Sequence, residues 1–84
     1  MNIEQSIEAL KKIIGGIILP KFPEIKSFIV KPYESDKMIL VVFYINESND
    51  EVELQIHEDL VSLKDYLSLG GYVLMTDFIV SVDF

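Results

Sequence analysis

Met38-Ile39-Leu40-Val41-Val42-Phe43-Tyr44-Ile45 is an unbroken run of eight apolar or aromatic residues. On its two sides stand segments of turn chemistry, Pro32-Tyr33-Glu34-Ser35-Asp36 and Asn46-Glu47-Ser48-Asn49-Asp50. A run this short, rich in β-branched and aromatic side chains, reads as a strand. Because it has no polar phase, neither of its faces is built for water.

Working outward, Ile25–Lys31, with Phe28, Ile29 and Val30, predicts a strand before it. After it, Val52, Leu54 and Ile56 alternate with Glu51, Glu53, Gln55 and His57, a period of two that predicts a half-wet strand over 51–57. Ile3, Ile7, Leu10 and Ile14 recur at helical spacing and predict a helix over 2–14. Asn2 and Gln5 offer it a capping box, Glu8 and Lys12 an i,i+4 pair, and Gly15-Gly16 a stop. Pro20 and Pro23 then predict an apolar, non-helical connection over 17–23. Leu60, Leu63 and Leu67 predict a second helix over 59–69, closed by Gly70-Gly71, and 72–83 predicts a long last strand. The expected fold is a single α+β domain over 1–84 in the order α-β-β-β-α-β. Its middle strands form an antiparallel meander, a fourth strand joins the sheet, and two helices pack on one face.

That arrangement carries a functional expectation. With helices on one face, either Met38-Leu40-Val42-Tyr44 or Ile39-Val41-Phe43-Ile45 must point away from them. Together with Val73, Met75 and Ile79, the outward set makes an apolar patch, and such patches usually mark a contact surface. Met38, Leu40, Val42, Tyr44, Val73, Met75 and Ile79 are the candidate interface, for a homo-oligomer or a protein partner. The competing expectation is that the Ile17–Phe22 connection folds across and covers this side.

Composition narrows the field. Fourteen acidic residues against seven lysines, with no arginine, give a net charge of −7, which repels a phosphate backbone and argues against nucleic acid. Without cysteine there is neither a disulfide nor a thiolate metal site. The apolar segment Ile13–Leu19 is too short to span a bilayer, and Glu4 and Glu8 stand where a leader peptide would be basic, so the expectation is a soluble, cytoplasmic protein without membrane contact.

No catalytic, cofactor or metal residue is assigned. His57-Glu58-Asp59 is the one cluster suited to acid–base chemistry, but Glu58 and Asp59 fit the start of the second helix better. Asn46, Ser48 and Asp50 are spaced like the first ligands of a calcium loop, yet Glu51 replaces the needed glycine and His57 the needed glutamate. Both glycine pairs close helices rather than open them, so neither cradles phosphate. The helix-and-strand order is similar to that of double-stranded-RNA-binding domains, but Glu58-Asp59 stand where those domains carry lysines, and no family is identified. The leading expectation is a non-enzymatic interaction or structural module. The other is a small-molecule binder or weak enzyme, its pocket formed by the 17–22 connection, the sheet, Tyr33 or Tyr44, and His57.

Overall fold

In the computed structural model, which describes residues 3–63 and 71–81, the eight-residue apolar run is the central strand of a three-stranded sheet. Strand β1 (Ile25–Tyr33) lies antiparallel on one side of β2 (Met38–Ile45), and β3 (Val73–Val80) lies parallel on the other. The neighbours on each side satisfy its backbone, while its odd-numbered side chains enter the core and its even-numbered ones face the other side of the sheet. The β1–β2 turn closes where the Lys37 amide donates to the Glu34 carbonyl at 3.2 Å. Lys37 takes the left-handed conformation there, φ 52°, uncommon for a side-chain-bearing residue, and its ammonium lies 5.2 Å from the centre of the Tyr72 ring.

Parallel pairing of β2 and β3 requires a crossover, and helix α3 (Asp50–Leu63) supplies it. The strand expected over 51–57 is therefore the first half of a helix. Two periods compete in this segment, since Val52 and Ile56 fit both. The remaining apolar positions decide: Leu60 and Leu63 extend the helical stripe inward, and Leu54 is left exposed on the outer side. The start of α3 is fixed by Asn49, whose Oδ1 accepts the amides of Glu51 and Val52 at 3.1 and 3.2 Å. In return Glu53 Oε2 accepts the Asn49 amide at 3.0 Å, a reciprocal cap that satisfies donors otherwise orphaned at a helix start. The order is thus α-β-β-α-β, with a two-strand hairpin in place of the meander. The last strand sits beside β2 rather than beside the first or a third strand. The positions 64–69 expected for the second helix, 82 and 83 expected for the last strand, and the Asn2 cap lie outside the described residues.

The first helix also runs past its expected end. Helix α1 (Ile3–Ile13) continues through a π-helical segment, Ile14–Ile18, into a last short piece, α2 (Leu19–Lys21). Gly15-Gly16 do not stop it, and 17–21 is helical rather than a loose connection. The Leu19 amide donates to Ile14, five residues back. This widened turn precedes Pro20, which has no amide to donate and whose ring crowds a regular α-helical turn. The buried residues Leu10, Ile14, Ile18 and Phe22 recur every four positions. On a regular helix at about 100° per residue that spacing drifts by about 40° per step, and the wider turn takes up the drift. Phe22 ends the helix, its amide shared between the carbonyls of Ile18 and Leu19.

One core forms where both helical arms meet the sheet. Leu10, Ile14 and Ile18 from the first arm and Ile56 and Leu60 from α3 join Ile39, Val41, Phe43 and Ile45 of β2, all buried. Phe43 is the largest fully buried side chain, between Phe28 of β1 at 6.4 Å and Phe78 of β3 at 5.6 Å between ring centres. Ile18 and Phe22 belong to this core. The 17–22 segment therefore packs on the helical side of the sheet and does not roof the other side.

Candidate functional site

The side of the sheet opposite the helices is built row by row from the strand register. Tyr33, Met38 and Val73 form one row, and Lys31, Leu40 and Met75 the next. Ile29, Val42 and Asp77 follow, then Ser27, Tyr44 and Ile79. Facing partners share a face because side chains alternate along each strand. Val42, in the middle, is buried, while Met38, Leu40 and Tyr44 are half-buried. Toward the flanks the face opens to solvent: Val73 is 54 % exposed, Met75 45 %, Ile79 43 % and Tyr33 39 %. All seven residues singled out from the sequence thus stand on one face. Ile29 and Tyr33 extend it, and sequence reasoning missed them because β1 had no assigned register. Their own alternation, Ile29, Lys31, Tyr33, was the signal available.

Both edges of the sheet are blunted. On β3 the amides of Val73 and Ser81 donate to Lys37 and Ile45, so the even-numbered amides between them point away from β2. One of these, Phe78 N–H, is capped by Oδ1 of the preceding residue, Asp77, at 2.9 Å. On β1, Pro32 has no amide, and Lys26 and Lys31 place charge along the strand. These features blunt parts of both edges, and the apolar face is the broader exposed surface.

The other candidate positions fall elsewhere. His57 lies on α3, not on a strand, and its Nδ1 is 2.7 Å from Thr76 Oγ1 on β3. Glu58 and Asp59 are in the middle of α3 rather than at a helix start. Asp59 Oδ2 accepts from Lys21 Nζ at 2.6 Å and its Oδ1 from Gln55 Nε2 at 2.9 Å. The Lys21 hydrogen bond holds the Asp59 carboxyl below the ordinary value of 3.8, against the opposing pull of partial burial. Ile17, Ile18 and Lys21 line a groove of about 150 Å³ with Asp59, Ser62 and Leu63. His57 does not line it, and Tyr33 and Tyr44 are on the far side of the sheet, so among the described residues these side chains do not share that groove. Ser48 Oγ donates to Glu53, which makes the Asn46–Asp50 loop the lead-in to the α3 cap rather than a hairpin turn. Among the described residues no three His, Asp or Glu side chains are placed to hold a metal ion, and no helix is long and apolar enough to cross a membrane.

No protein-family model and no curated protein matches this chain.

Proposed function

We propose that this chain acts as a non-enzymatic interaction module, pairing with a second copy of itself through the open face of its sheet. The observation that carries the proposal is the continuity of apolar side chains across all three strands, exposed at Tyr33, Val73, Met75 and Ile79. Exposed apolar surface of this extent on so small a domain is costly to leave in water. A second copy is the occupant favoured by the charges on the face. Among the described residues of these rows it carries a base, Lys31, on β1 and an acid, Asp77, on β3, a self-complementary pattern.

Size sets the expected strength. Three strands and eight residues give a flat footprint of roughly 14 Å by 26 Å, or roughly 750 Å² for two copies. Side-chain relief enlarges that figure, but it stays near the weak end of specific interfaces, which lies below about 1,200 Å². A reversible dimer with a micromolar dissociation constant is the consequence.

Sedimentation equilibrium or light scattering across the micromolar range tests this. The mass should climb from one 9.6 kDa chain toward two, and Met75→Glu should hold it at one, since Met75 is exposed and the folded monomer tolerates the change. A wild-type chain that keeps the single-chain mass at several hundred micromolar would remove the proposal.

A further inference from the structure

From the two charges on the open face we infer the arrangement of the pair: each copy's Lys31 bonds the other copy's Asp77, twice, about an axis running along β2. This rests on the dimer proposed above and adds to it an orientation and a register.

Lys31 and Asp77 belong to neighbouring rows, Lys31 beside Leu40 and Asp77 beside Val42, with β2 between them. Two strand spacings and one side-chain row separate them by roughly 12 Å, too far for an ion pair within one chain. Among the described residues Lys31 has no acidic partner, and Asp77 engages one oxygen with its neighbour's amide and keeps the other free. Each charge is therefore available to another molecule.

Two sheets packed face to face are related by an axis lying between them. An axis along β2 carries β1 of one copy over β3 of the other. Such an axis keeps each row at its height along the strands, so Lys31 stands above the partner's Met75, one row of about 7 Å from the partner's Asp77, and symmetry repeats the arrangement on the other side. Sheets stacked about 10 Å apart and within about 30° of parallel leave this pair within reach of a lysine side chain. An axis across the strands instead lays β1 on β1, bringing the two lysines together and leaving both acids without a partner. The charges thus select one packing and penalise the other.

Mixing oppositely charged variants tests the inference. K31E alone sets two acids against each other at both contacts, and D77K alone sets two bases, so each should dimerise at least about tenfold more weakly than wild type. An equimolar mixture of K31E and D77K restores both attractive pairs and should form a heterodimer of near wild-type affinity. The double variant K31E/D77K should recover as a homodimer. Because D77K also removes the cap on the Phe78 amide, K31E/D77N is a second arm: asparagine keeps that hydrogen bond, and this variant should dimerise more tightly than K31E. If wild type dimerises while K31E and D77K bind as tightly as it does, or their mixture shows no preference for the heterodimer, this arrangement is wrong and the dimer proposal stands. If wild type never dimerises, both fall.

Discussion

Asp59 shows how a residue takes its role from where the chain puts it. Next to His57 and Glu58 in sequence it reads as a helix-start acid, but the structure sets it mid-helix, facing the end of the first helical arm. Its carboxylate joins Lys21 of that arm to α3, and Gln55 one turn back adds a second donor. The lowered pKa fixes the sign of the pH dependence. A carboxyl whose pKa is lower folded than unfolded contributes stability above its ordinary value of 3.8, and that contribution fades as the pH drops through the lowered value. Asp59→Asn should cost up to about 1 kcal/mol at neutral pH, given the exposure of Lys21, and the gap should begin to narrow below about pH 4. Urea unfolding of the two proteins at pH 7 and at pH 3 measures it. A gap of the same size at both pH values would mean that the Asp59 charge contributes nothing.

At the level of elements, reading the sequence succeeded where one period was present and failed where two overlapped. Strand β2 was legible because eight apolar residues admit no other short element, and α1 because its stripe has only the helical spacing. In 51–57 the alternation of Val52, Leu54 and Ile56 hid a helix whose true marker lay just upstream, in the cap of Asn49 with Glu53. Two glycines and a proline likewise hid the continuation of the first helix, because a π-helical turn evades the rules written for α-helices. The cap can be tested on its own. Asn49→Ala removes the acceptor of two amides and should destabilise the domain by about 1 kcal/mol, with the loss concentrated at the start of α3. Hydrogen exchange at Glu51 and Val52 should quicken more than at Ile56. Equal protection in wild type and variant would show that the fold, rather than the side chain, sets where α3 begins.

For the whole molecule, the candidate face was legible from the sequence although one of the expected strands, 51–57, is part of a helix. Its logic needed only a doubly apolar β2 and helices confined to one side, and among the described residues both are present. What could not be read were the contributions of β1 and the charges at Lys31 and Asp77, because register emerges only once strands are paired. A domain of this size buries a modest share of its surface, so its stability is small and any partner that binds only the folded state adds visibly to it. The proposed dimer therefore predicts an unfolding midpoint that depends on protein concentration. Raising the chain from near its dissociation constant to about 100 times that value should add about 1 kcal/mol per chain to the apparent stability, since only the free chain drives the linkage. Met75→Glu, unable to pair, should unfold at one midpoint whatever its concentration, and at low concentration should match wild type. Chemical denaturation of both proteins over two decades of concentration makes the comparison, and a wild-type midpoint that stays fixed over that range would show that the open face stabilises nothing by pairing.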